Sequence, residues 1–195
     1  MAYTSCAAEV AANIAQDCAH PNVGGYTGRT VLIPRSLAPV IAVSGTNPRQ
    51  ITGITLESGD KTIAVDNAMP VNPFDGSTTE MTTDNGWKMY NKSLVLRVPK
   101  RGAGVSKEVV EPLADSPLGL IGIVEKRDTV GDGSFELIGL EAGLKATAET
   151  RNENEATGDW QVTLSTVEHY AEYSFFDTDY ATTLAKFEAL LAKSY

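Results

Sequence analysis

Strand-length apolar runs dominate the first third of the chain: "TVLIP" at 30–34, "VIAVS" at 40–44, "ITGITLES" at 51–58 and "KTIAV" at 61–65. Gly, Pro, Asn and Asp clusters separate them at the spacing of antiparallel strands, and Gly59-Asp60 between the last two is a hairpin signal. Residues 88–100 alternate, with Leu94, Leu96 and Val98 on one face and Ser93, Val95 and Arg97 on the other. That period of two predicts a half-buried strand. Residues 118–128, "LGLIGIVEKRD", are apolar on both faces and predict a central strand covered on both sides. "TVGDG" then turns the chain into "SFELIGL" at 134–140. Two further strands follow at 143–152 and 159–170. In the first, Leu144, Ala146 and Ala148 point one way and Lys145, Thr147, Glu149 and Arg151 the other; in the second, Trp160, Val162 and Leu164 oppose Gln161, Thr163 and Ser165.

Helical periods are fewer. The first 25 residues read as an arm, an Ala-rich helix with Val10 and Ile14 four apart that stops at Pro21 and Gly24-Gly25. Residues 106–116 predict a short helix that Ser106 can cap, that carries Val109, Val110 and Leu113 on one side, and that Pro117 ends. Asp179 is placed to cap a C-terminal helix over 179–195, with Tyr180, Leu184, Phe187 and Leu191 at helical spacing. This helix docks either on its own domain or on a neighbour. The pattern therefore predicts an N-terminal arm (1–25), a mainly β domain (26–178) of sandwich or barrel-like antiparallel sheets, and a C-terminal helix (179–195). A long acidic loop at 66–87 interrupts the domain. Between residues 68 and 87 it carries Asp75, Glu80 and Asp84 with no Lys or Arg, beside apolar Met69, Val71, Phe74, Met81 and Trp87. Loops of that length in compact domains are usually functional or disordered.

Composition narrows the function classes. A chain of 195 residues suits one sizeable core. The formal net charge of −9 disfavours stable binding to a phosphate backbone through Lys and Arg. Apolar runs long enough for a membrane helix are absent, and the start lacks the basic region of a secretory signal, which predicts folding in the cytoplasm. Cys6 and Cys18 lie twelve residues apart on the expected helix, about 120° apart around its axis, so they read as two reduced thiols.

Candidate chemistry is sparse. His20 and His169 are the two imidazoles, and neither stands beside a nucleophile elbow or a metal-ligand pair. "DTVGDG" at 128–133 has Val130 where a calcium loop needs an oxygen ligand, and reads as a hairpin turn. "PKRGAGVSK" at 99–107 lacks phosphate-loop spacing and reads as a basic connector. The expectation is a protein that is not an enzyme and needs no cofactor or metal.

The order "DCAHPNVGGYTGRTVLIPRSL", "ITGITLESGDKTIAV" and "LGLIGIVEKRDTVGDGSFELIGLEAGLKATAETRNENEATGDWQVTLST" resembles structural proteins of tailed bacteriophages and prophages of Bacteroidetes hosts, similar to tail tube proteins. Residues 68–86 are the part that matches this pattern least. The resemblance implies a β subunit that self-assembles into rings, commonly hexameric, stacked into a tube for genome delivery. It also implies a virion location after assembly in the host cytoplasm, and tape measure, sheath or terminator proteins as further partners. DNA would pass through without specific binding. Expected contacts between subunits are Tyr3, Val10 and Ile14 in the arm, Met69, Val71, Phe74, Met81 and Trp87 in the acidic segment, and Phe187 and Leu191 in the C-terminal helix. Either Glu149 with Thr147, or Thr163 with Ser165, would line the channel. A collar, ring or head-decoration protein and a monomeric ligand-binding β domain are the alternative readings.

Overall fold

The computed structural model describes residues 25–65, 74–84, 87–98, 102–127, 131–151 and 160–195. The protein is mainly β. Eleven strands among the described residues form two sheets: β1 (Tyr26–Pro34), β2 (Val40–Val43), β3 (Gln50–Thr55), β4 (Ile63–Val65), β5 (Phe74–Asp84), β6 (Trp87–Val98), β7 (Leu120–Lys126), β8 (Phe135–Ile138), β9 (Lys145–Arg151), β10 (Trp160–Glu168) and β11 (Tyr173–Phe175). The larger sheet has the order β2-β3-β11-β8-β7-β1-β4, and the smaller one β5-β6-β10-β9. Strand pairs are antiparallel apart from β11 with β3.

Both faces of the seven-stranded sheet are covered, which is why β7 is apolar from Leu120 to Val124 and buried as far as Glu125. Val31, Ile33, Ile123 and Phe135 pack on one side against α3 (Tyr180–Leu191). Leu32, Leu120, Val124 and Ile138 pack on the other against Leu94, Leu96, Val162 and Leu164 of the four-stranded sheet. The result is three layers: helix, large sheet, small sheet.

Local chemistry explains the helices. Asp179 caps α3 as its position predicts, its carboxylate accepting from the Thr182 N–H at 2.7 Å and from the Thr182 hydroxyl at 3.2 Å. These hydrogen bonds hold the Asp179 carboxyl below its usual range. The interior helical run begins earlier than expected: α1 (Ala103–Val105), a π-helical turn (Ser106–Val110) and α2 (Glu111–Ala114). Ser106 does not cap it, and its hydroxyl instead donates to Glu111 at 3.0 Å. Pro112 has no N–H to give to a four-residue ladder, and the widened π turn falls directly before it.

Two expectations change. The Gly59-Asp60 turn does not join a hairpin, because β3 and β4 lie at opposite sides of the large sheet. The C-terminal end of α3 captures the crossing segment: the Thr62 N–H donates to Lys193 O at 3.2 Å, its hydroxyl donates to Leu190 O at 2.9 Å, and Lys193 Nζ donates to Leu56 O at 3.3 Å. Exposed carbonyls at a helix end thus outcompete a local strand pair. The expected long loop at 66–87 is, over its described residues, mostly strand. β5 pairs with β6 from Phe74↔Leu96 to Asp84↔Trp87.

The link from β8 to β9 depends on Gly139, which has φ 86°. A Cβ there would lie 2.4 Å from Leu120 O, and that carbonyl already accepts from the Leu144 N–H. Gly139→Ala should therefore cost at least about 2 kcal/mol, from backbone strain and from displacing that bridge. Denaturant unfolding will read this as a lower midpoint at unchanged slope.

Candidate assembly surface

The four-stranded sheet has one dry face and one wet face. On its dry face Leu94 stands opposite Leu164, and Leu96 opposite Val162. On its wet face one row crosses all four strands: Thr78 opposite Ser93, Ser93 opposite Ser165, and Ser165 opposite Lys145. The Thr78 and Ser93 hydroxyls lie 2.9 Å apart. Thr163 is on this face, opposite Val95. The charged residues here, among those whose side chains are described, are Glu80, Arg97 and Lys145, so the surface is close to neutral and rich in hydroxyl groups.

A β-bulge rearranges the expected channel residues. Leu164 is opposite Ala146 but Thr163 is opposite Ala148, leaving Thr147 as the extra residue. Its hydroxyl donates to Thr163 O at 3.3 Å. Beyond the bulge the faces swap. Glu149 stands opposite Val162 and Arg151 opposite Trp160, on the side of the core, where the Arg151 guanidinium lies 5.6 Å from the Trp160 ring. Thr163 and Ser165 remain on the wet face, whereas Glu149, exposed like Thr147, stands on the opposite side of its strand from Lys145. Strict alternation through Ala148 was the misleading signal, since a bulge leaves no mark in a pattern of small residues.

The sheet ends in two strands, β5 and β9, each with one edge unpaired among the described residues. β5 and β6 are long, eleven and twelve residues. β10 pairs with β6 only as far as Tyr90, so Trp87, Lys88 and Met89 are held by β5 alone and overshoot the sandwich by about 10 Å. Trp87 is 74% exposed and Met81 59%, and register places Met81 with Tyr90 on one face of the hairpin and Trp87 on the other. The sequence held a signal for this hairpin: Asn85-Gly86 is the two-residue link left between Asp84 and Trp87.

Among the other expected contacts, Tyr3, Val10, Ile14, Met69 and Val71 lie outside the described residues. Phe74 opens β5 opposite Leu96. Phe187 is corrected: it is fully buried, its ring 5.1 Å from that of Phe135, and cannot face a neighbour. Leu191 is half-buried against the same core. α3 docks on its own domain because its apolar stripe covers the otherwise open face of the large sheet. Around it, Glu125 accepts from Arg29 Nε at 2.8 Å, from the Thr27 hydroxyl at 2.6 Å and from the Tyr180 hydroxyl at 3.2 Å.

Polar groups join the two sheets at one end. Lys92 Nζ and Glu168 Oε2, both fully buried, are 2.7 Å apart. Beside them Glu141 accepts from the Tyr173 hydroxyl and from the His169 N–H at 3.0 Å, and lies 2.6 Å from His169 Nδ1. Burial alone would raise the Glu141 carboxyl, but these hydrogen bonds, from Tyr173 first and then His169, outweigh it and hold the group below 4.5. The folded state thus favours the carboxylate, and this contribution is present above the unfolded value and lost as pH falls through the folded one. Glu141→Gln should flatten that acid limb of the unfolding midpoint measured against pH, leaving its slope at neutral pH unchanged.

Among the described residues no cluster of three or more His, Cys, Asp or Glu side chains is arranged to hold a metal. His20, Cys6 and Cys18 lie outside them. An open groove of about 1020 Å³ runs between the interior helical run, Ile63-Ala64 of β4 and the C-terminal Tyr195, with Lys107, Glu108, Glu111 and Asp115 among its lining. Protein-family models, curated proteins and solved structures were compared with the chain, and none matches it.

Proposed function

We propose that this chain is a self-assembling structural subunit of a tailed-phage virion, most specifically the tail tube subunit. The observation that carries the reading is the four-stranded sheet, with one packed face, one hydroxyl-lined wet face, two edges unpaired among the described residues and a hairpin that overshoots the domain. Unpaired edges in a soluble protein invite strand addition. The β5 edge of one copy meeting the β9 edge of the next is a heterologous contact, and such contacts close into rings when the rotation per subunit closes. The wet faces then line a continuous barrel, and the packed faces carry the rest of each subunit outside it.

A near-neutral hydroxyl surface suits a conduit for DNA. Clustered Lys and Arg would hold phosphates by releasing their counterions, whereas Thr78, Ser93, Thr163 and Ser165 offer weak, exchangeable contacts. The overshooting tip with Trp87, and Met81 at its base, are wet in the single chain and provide the apolar surface for stacking one ring on another. Tape measure, sheath or terminator proteins are the further partners, and the virion is the location.

Sedimentation velocity across a wide concentration range tests the reading. Ring-sized and larger species growing with concentration support it. A single ring that never grows favours a collar or decoration role, and a monomer at every concentration and salt, with added phage initiator, counts against both.

A further inference from the structure

The buried pair between the sheets has geometry that a simple ion pair does not need. Lys92 and Glu168 are both at 0% exposure, with Nζ 2.7 Å from Oε2, yet neither atom is aligned for a hydrogen bond. The Tyr173 ring also lies near the ammonium, its centroid 5.6 Å away. Buried ion pairs repay their desolvation only when well-directed hydrogen bonds satisfy the remaining donors and lone pairs. Here those bonds reach only the other carboxylate oxygen: Glu168 Oε1 accepts from the Gly139 N–H at 3.0 Å and from the Glu141 N–H at 3.5 Å. One close backbone donor on Oε1, from Gly139, a second and longer one from Glu141, and an amine against Oε2 place an oxyanion-stabilising donor beside a nucleophile. Register fixes both partners, Lys92 opposite Thr166 and Glu168 opposite Tyr90 on adjacent strands, so proximity is built in by folding.

We propose that Lys92 and Glu168 condense into an intramolecular amide cross-link once the domain has folded. The ammonium gives one proton to Glu168 Oε2, and the free Nζ attacks Cδ. The tetrahedral intermediate carries its negative charge on Oε1, against the Gly139 and Glu141 N–H groups. The Cδ–Oε2 bond then breaks, and Oε2 departs as water with the two protons that Nζ has lost. An ammonium and a carboxylate become an amide and water, with no oxidant or cofactor, and the two buried charges disappear. The Thr166 hydroxyl, buried, without a hydrogen-bond partner and opposite Lys92, is an uncommitted acceptor for the new amide N–H. The link ties β6 to β10, the two inner strands of the four-stranded sheet. It stands independently of the assembly proposed above.

Intact mass spectrometry of the purified full chain decides it. The expected mass is one water below that of the sequence, allowing for removal of Met1. Digestion with trypsin should give a branched peptide joining the Lys92 and Glu168 segments, with no cleavage after Lys92. Lys92→Met should restore the full mass. A folded wild-type protein at full sequence mass overturns the proposal. So does a water loss that maps to Asp75-Gly76 or Asp132-Gly133, where Asp-Gly cyclisation produces the same change. If Lys92→Met does not fold, the wild-type mass and the branched peptide still give the answer.

Discussion

Replacing Met81 with Lys and Trp87 with Glu together will leave a folded protein that no longer assembles, at any concentration where the wild type forms large species. Trp87 is 74% exposed on the overshooting end of the hairpin, and Met81 is 59% exposed at its base, opposite Tyr90, where β10 still pairs with β6. Neither side chain belongs to either core cluster, so the change in unfolding free energy should stay within about 0.5 kcal/mol, as for other surface substitutions. In the proposed assembly the same residues become buried. A Trp buries roughly 150–250 Å², at about 25 cal/mol per Å², and a charge in its place would have to be desolvated without a partner. Because each copy contributes a tip, the penalty recurs at every contact along a stack. Sedimentation of the variant beside circular dichroism of the monomer checks both halves. Normal assembly by the variant would remove the hairpin tip from the interface.

Phe187→Ala should produce the largest loss of stability, about 3–5 kcal/mol, with its effect on assembly confined to conditions that unfold the domain. Its ring is fully buried, 5.1 Å from Phe135, and the Arg29 guanidinium lies over it at 5.4 Å. Truncation leaves a cavity between α3 and the large sheet that neighbouring Phe135, Phe175 and Tyr180 cannot fill without abandoning their own ring contacts. Domains of this size are stable by about 5–15 kcal/mol in total, so the variant will fold only marginally. Equilibrium denaturation measures it directly. A loss under about 1 kcal/mol would mean that α3 is not anchored on its own sheet, and would return Phe187 to the pool of intersubunit residues.

Much of the fold was legible because burial on two faces, or on one, leaves different patterns. The doubly covered β7 is apolar at consecutive positions, whereas β6 and β10 alternate cleanly, and all three were read as strands of the right type. Asp179 as N-cap was equally plain, since one side chain makes the contact. The misses share a cause: each depended on a partner remote in sequence. Gly59-Asp60 looks like a hairpin until the carbonyls of Leu190 and Lys193 are brought to Thr62. Phe187 looks like any apolar residue on an amphipathic helix, and only the large sheet beneath it decides whether that stripe faces inward or toward a neighbour. The bulge at Thr147 changes which face Glu149 occupies, and residues as small as Ala146 and Ala148 fit either side of a sheet. Pro70, Pro73 and three carboxylates give the acidic segment the texture of a loop, while run 78–83 is rich in Thr. Those β-branched residues favour the pleated strand that the structure contains.

Lys92 and Glu168 were legible as residues but not as a pair. Each sits on the dry side of its strand, where a charge is out of place in the alternation. That mismatch is a sequence signal for a buried polar contact, though the strand pairing needed to connect the two appears only in the fold.

In the proposed assembly, four-stranded sheets join edge to edge into a ring whose wet faces line a channel. Electron microscopy of the concentrated full-length protein, incubated with and without an initiating tail complex, tests it most directly. The expected particles are hollow tubes or stacked rings in which β5 of one copy runs beside β9 of the next and Thr163 and Ser165 face the lumen. Particles that remain single subunits under both conditions, or rings whose channel is lined by α3 or the large sheet, would contradict it.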